Sequence, residues 1–182
     1  YEDLGDVAPY DPDKARELLA DAGATKLNLR FRPAVLPYAT KAARFVASEL
    51  NAVGIKTTVE ELQFPEPWLS RIYSDADYDM TVIAHVEPFD VTNFANPNYY
   101  WRYADPEFVR LVEEADQAAP EDFIPGMKKA TRHPAEGAAA AWVVSLPNPL
   151  VTKSTIPGLP ENQTPLPFHV TTPVTPNRVA NM

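Results

Sequence analysis

Twenty of the 182 residues are proline, and eleven of those fall from Pro120 onward. A proline has no N–H to give to a β-ladder, so so dense a run of them cannot sit at the centre of a sheet. Any sheet must therefore come from the first two thirds of the chain. The closing stretch PNPLVTKSTIPGLPENQTPLPFHVTTPVTP reads instead as extended segments that cross a surface and pair at edges. With only six glycines beside the twenty prolines, the connections are stiff rather than floppy. The division that follows is a lobe over residues 1–145 and a Pro-rich return segment over 146–182.

Within the lobe the hydrophobic period changes repeatedly. In YDPDKARELLADAG, Asp11 can cap a helix, Pro12 presets its first φ, and Gly23 can close it in a left-handed conformation. Ala15, Leu18, Leu19 and Ala22 lie between them at i, i+3, i+4 and i+7, predicting a packed stripe. Leu27, Leu29 and Phe31 then alternate as a half-buried strand. A helical set follows, Ala42, Phe45, Val46, Leu50 and Val53, stopped by Gly54, and Ile55, Thr57 and Val59 form a second strand. A short helix over about 67–73 leads to YDMTVIAHV, whose β-branched and apolar run from Tyr78 to Val86 suits an interior parallel strand. The cap and spacing of the first helix recur at Asp105-Pro106-Glu107 with Phe108, Leu111, Val112 and Ala115. A helix broken at Pro134 is expected over 127–141, then an apolar strand over 142–146. The order β-α-β-α-β gives an open α/β sheet with right-handed crossovers.

Composition removes several functions. The net charge is −9, which disfavours a sequence-independent grip on phosphates, so no nucleic-acid partner is expected. With no cysteine there is no thiolate nucleophile, disulfide or metal–thiolate centre. No glycine-rich phosphate loop or G-x-S-x-G elbow occurs, and no cofactor is implied. His85-Val86-Glu87 matches the H-x-E half of a zinc deaminase signature but lacks its paired cysteines. His133 and His169 stand far from it in sequence, and the plain reading of each histidine is a polar loop or strand-end residue. Gly137 to Thr152 is uncharged over its length but broken by Pro147 and Pro149, a poor membrane span. The chain begins at Tyr1 without a charged-then-apolar leader, so a targeting segment is expected outside these residues.

In open α/β sheets ligands collect beyond the carboxyl ends of the strands. That rule points past Val86, to EPFDVTNFANPNYYWRYADPEF. Glu87 and Asp90 stand first in this loop. They could anchor a ligand ammonium, act as the acid and base of a glycosidase, or simply cap a turn and face water. The rings of Phe89, Phe94, Tyr99, Tyr100, Trp101 and Tyr103 could pin the loop as local core, and one or two facing a cleft would suffice for binding.

Taken in order, YDPDKARELLADAG, LNAVGIKTTVEEL, YDMTVIAHVEPFDVTNF and YADPEFVRLVEEA resemble the C-terminal lobe of family 5 extracellular solute-binding proteins, from about Tyr10 to Thr172. These are the peptide- and nickel-type receptors of ABC importers. The resemblance implies a type II periplasmic-binding-protein fold, an open mixed sheet flanked by helices, whose two lobes close on a ligand, commonly an oligopeptide. The family's loop after the matching strand reads like G-W-x-x-D-x-x-D-P-x-N-F. Ala84-His85 stand at its Gly-Trp, Glu87 near its first acid, Asp90-Val91 at its Asp-Pro, and Asn93-Phe94 at its Asn-Phe. An acid in that loop often receives a peptide's amino terminus, and the resemblance leaves open whether Glu87 or Asp90 does so.

The implied ligand set is His85, Glu87, Phe89, Asp90, Asn93, Phe94 and Trp101. The implied partners are a peptide-like solute, the importer's membrane subunits and an N-terminal lobe absent from this chain. The implied setting is extracytoplasmic and lipid-anchored, without enzymatic activity. Two readings compete with this one: a carboxylate-dependent hydrolase working through Glu87 and Asp90, and a module docking its Pro-rich tail into a partner's aromatic groove.

Overall fold

In the computed structural model of the chain, residues 2–86 and 90–144 are described. The first helix, α1 (Pro12–Asp21), starts as its sequence dictates, with the extended Asp11 accepting the Lys14 N–H at 2.8 Å. Gly23 closes it at φ 64°. Its apolar stripe, however, has no buried member, and Leu18 is 56% exposed. The packed face expected there is not found among the described residues. α1 instead meets the second helix through polar groups: Tyr10 Oη donates to Glu49, and Arg16 donates to the Ala52 carbonyl.

β1 (Asn28–Phe31) and β2 (Lys56–Val59) pair in parallel from Asn28↔Lys56 to Phe31↔Val59. The crossover between them is α2 (Pro37–Ala52), followed by Gly54 at φ 98°. α2 buries Ala39, Ala43 and Ala47 rather than the larger side chains, and Phe45 is 66% exposed. Ala43 and Ala47 lie in one cluster with Phe31, Val59 and Met80, so small residues let the helix approach the sheet closely.

The third strand expected over Tyr78–Val86 shrinks to a single parallel bridge, Phe31↔Met80, on the free side of β1. The ladder begins normally: Met80 N–H donates to the Arg30 carbonyl, and Arg32 N–H to that of Met80. It stops where the Thr81 hydroxyl takes the Arg32 carbonyl, the next acceptor on this edge, at 2.8 Å. The short helix before this segment is a π-helical turn, Leu69–Ser74, anchored by the buried Ile72.

Three arginines fasten these pieces. Arg30 reaches Asp77 and Asp79, Arg32 reaches Glu60 and Asp77, and Arg71 reaches the same two acids as Arg32. Arg32 is only 8% exposed. The guanidinium of Arg71, then those of Arg32 and Arg30, hold the Asp77 carboxyl down to about 2.

α3 (Pro106–Asp116) and α4 (Pro120–Glu136) form a hairpin over Phe94, Phe108, Leu111 and Ala130. Asp105 caps α3, accepting the Glu107 and Phe108 N–H groups, as expected. The predicted break at Pro134 does not occur, and α4 runs through it and through Pro125 to end at Gly137. Burial offsets the lost backbone bond, since Pro134 is fully buried between buried Ala130 and Ala135. Asp105 also ties the hairpin together. It accepts from the Tyr103 hydroxyl at 3.1 Å and bonds His133 Nε2 at 3.0 Å. His133 lies within α4, in the stretch where a helix is expected. His133 above all, with the Phe108 N–H, lowers the Asp105 carboxyl to about 2.

Both Asp77 and Asp105 have folded values below the unfolded one, so each stabilises the fold above about pH 4 and loses that contribution as pH falls toward 2. The urea midpoint is therefore expected to be flat near neutrality and to drop below about pH 4. An Asp77→Asn, Asp105→Asn double variant should start lower and fall less steeply. Parallel curves for the two proteins would show that these pairs do not carry the acid sensitivity.

By contact density the chain divides into Tyr1–His85 with Val91–Ala141, and Val86–Asp90 with Trp142–Met182. Trp142, Val143 and Val144 are half or more exposed and form no strand, contrary to expectation. The rest of that expected strand and the Pro-rich segment 146–182 lie outside the described residues. No described helix is long and apolar enough to cross a membrane.

Candidate functional site

β1 and the segment bridged to it run in the same direction, so their carboxyl ends converge on one side of the molecule. At that end Ala84 N–H donates to the hydroxyl of Tyr38, from the first turn of α2, at 2.8 Å. This bond pins the segment after its ladder has stopped. His85 follows. Its ring lies parallel to that of Tyr100, 7° and 5.9 Å between centroids, and its Nε2 is hydrogen-bonded to the Tyr100 hydroxyl at 2.7 Å.

Around His85 the rings form a continuous layer. Trp101 lies 5.2 Å away and Tyr99 6.3 Å, with 4.4 Å between those two. Phe94 stacks on Trp101 at 4.3 Å and 20°. Burial divides the layer. Phe94 and Tyr100 are almost fully buried and serve as core, whereas His85, Tyr99 and Trp101 are half-buried and show surface as well. The Trp101 Nε1 atom is itself buried and has no hydrogen-bond acceptor among the described residues. The rings of this loop thus divide into buried and partly exposed members.

Of the seven site residues read from the sequence, His85, Phe94 and Trp101 are brought into this layer. Asp90 and Asn93 sit on a short 3-10 turn, Asp90–Ala95, and both are half-buried. Glu87 and Phe89 lie outside the described residues, as does the Glu87–Asp90 separation on which the hydrolase reading turns. Among the described residues no three His, Asp or Glu side chains gather as metal ligands. Sequence reasoning missed two contributors, Tyr38 and the hydroxyl of Tyr100. Tyr38 carried no signal, because a tyrosine at a helix start is ordinary. Tyr100 was visible only as one ring among six.

Residues 1–106 match the model of bacterial extracellular solute-binding proteins, family 5, middle part. The chain belongs to that family. The "probable di/tripeptide-binding protein 5" of Pseudomonas aeruginosa is 25% identical over 133 residues, which are 65% of this chain and 25% of the relative. The chain thus spans about a quarter of the length of that curated relative. Among solved structures, a periplasmic oligopeptide-binding protein of Borrelia burgdorferi superposes with TM-score 0.64 at 19% identity, covering 75% of this chain and 30% of that one. The oligopeptide-binding protein AppA of Bacillus subtilis, in complex with a nonapeptide, gives 0.61 at 16%, covering 71% and 30%. These likenesses fix the fold as the mixed helix and strand architecture of type II periplasmic binding proteins.

Proposed function

We propose that the chain is the C-terminal lobe of a receptor that captures a short peptide outside the cytoplasm and hands it to an ABC importer. The observation that carries this reading is the half-buried layer of His85, Tyr99 and Trp101 at the carboxyl end of the parallel segments. A ring layer with polar groups at its edge suits a ligand that alternates apolar side chains with amide groups. Family membership supports a solute-binding role rather than a catalytic one. The peptide names of the similar proteins supply the solute class. Asp90 and Glu87 are the groups assigned to the peptide's amino terminus. The second lobe and, in the intact receptor, a lipid anchor complete the proposal.

One wall of a cleft binds weakly, since the ligand keeps much of its water and the closing lobe contributes nothing. Millimolar affinity for di- and tripeptides is therefore the expected result for the 182-residue chain, read from NMR shifts of His85, Tyr99 and Trp101. Asp90→Ala and Glu87→Ala should weaken it severalfold for a peptide with a free amino terminus and leave an N-acetylated peptide unaffected. Peptide that perturbs none of the three rings defeats the reading. Equal effects on free and acetylated peptides would remove the two acids from the amino-terminal role.

A further inference from the structure

The residue that meets the ligand must itself be held, and the structure shows what holds His85. We infer that Tyr100 is a positioning residue for recognition: its phenol fixes the orientation and proton arrangement of the His85 imidazole, so that a ligand meets one donor–acceptor pattern instead of several. This inference rests on the reading of His85 as a ligand-facing residue.

The position of Tyr100 is set from the centre of the sheet outward. The Arg32 carbonyl accepts from Thr81 Oγ1 at 2.8 Å, and Thr81 Oγ1 accepts in turn from the Trp68 indole at 3.2 Å. Trp68, 2% exposed, presents its ring to Tyr100 edge-on at 5.8 Å. Tyr73 packs at 5.5 Å, and the Tyr78 hydroxyl donates to the Tyr100 carbonyl at 3.0 Å. Ring and backbone of Tyr100 are thereby fixed, and its hydroxyl lies 2.7 Å from His85 Nε2.

An imidazole can turn over about its Cβ–Cγ bond and can carry its neutral proton on either nitrogen. A phenol donates more strongly than it accepts, so the bond to the Tyr100 hydroxyl favours the neutral form in which Nε2 accepts and Nδ1 carries the proton. Pre-setting the state removes that ordering cost from ligand binding.

The test uses the 182-residue chain labelled with 15N in histidine, with His85 signals assigned through His85→Phe. In the parent protein the two His85 ring nitrogens should give well-separated resonances typical of one dominant tautomer. In Tyr100→Phe, which keeps the ring and loses only the hydroxyl, they should move toward averaged positions. Affinity for trialanine should fall about fivefold, roughly the worth of one hydrogen bond. In a His85→Phe background the same substitution should leave affinity unchanged, an outcome that mere loosening of the core would not give. Trialanine binding that survives Tyr100→Phe undiminished overturns the inference and leaves the peptide reading intact. Failure of the parent chain to bind any short peptide removes the peptide reading and the inference with it. Unchanged His85 nitrogen shifts in Tyr100→Phe overturn the inference whatever the binding result.

Discussion

Replacing Phe108 with alanine is expected to lower the unfolding free energy by about 3–5 kcal/mol, which is a large share of the roughly 5–15 kcal/mol that holds an ordinary domain together. Phe108 is fully buried in the first turn of α3. Its ring meets those of Phe94 and Tyr103, each at 6.1 Å, and its cluster includes Leu111 and Ala130. Alanine keeps the helix and its Asp105 cap but leaves a ring-sized void among Phe94, Leu111 and Ala130. The damage should reach the candidate site, because the Phe94 ring that loses its support is stacked on Trp101. Urea unfolding followed by far-UV circular dichroism measures the first effect, and broadening of the Trp101 indole resonance the second. The control is Phe45→Ala on the exposed side of α2, expected to stay within about 0.5 kcal/mol of the parent. Similar losses for the two substitutions would mean that burial does not set the cost here.

The contrast between Phe108 and Phe45 also marks the limit of what periodicity reveals. Helix starts were readable because they depend on nearest neighbours: Asp11-Pro12 and Asp105-Pro106 cap and initiate α1 and α3 as local chemistry requires. Strand alternation at Leu29, Phe31, Thr57 and Val59 was readable for the same reason. The buried face of α2 was not. Hydrophobicity ranks Phe45 above Ala43, but a helix lying close on the two-stranded sheet has room only for small side chains there. The expected break at Pro134 fails because the ~3 kcal/mol cost of an interior proline is a property of exposed helices, and the full burial of Pro134 lies outside that figure. The third strand shrinks because its apolar run says nothing of Thr81, whose hydroxyl takes the Arg32 carbonyl just past β1. At the candidate site, chain order located His85, Phe94 and Trp101 through the general rule for strand ends. The partition of the rings into core and surface was hidden. It depends on contacts between residues 15 apart, as in His85 and Tyr100, and 13 apart, as in Trp68 and Thr81. The arginine cluster was hidden as well, since Arg32 and Asp77 meet across 45 positions.

Gly126 should show the largest departure from what local propensity predicts. In the interior of an ordinary helix, glycine to alanine stabilises by up to about 1 kcal/mol, because alanine has less backbone freedom to lose. Here a Cβ on Gly126 would stand 2.8 Å from the Cβ of Ala115 and 3.1 Å from its Cα. Neither atom belongs to a flexible side chain, so relief requires α3 and α4 to move apart, which opens the contacts that Phe108 and Leu111 make with Ala130. Gly126→Ala is therefore expected to destabilise despite its better propensity. Gly126→Val should lower the unfolding free energy by about 2–3 kcal/mol, through overpacking with no room to relax. The decisive variant exchanges the pair, Ala115→Gly with Gly126→Ala, which restores one small and one absent side chain at the crossing. It should recover most of the loss, with a coupling between the two positions of about 1–2 kcal/mol. If Gly126→Ala stabilises the protein, or if the exchange is no better than the single change, the close approach of α3 and α4 at this point is not what glycine serves.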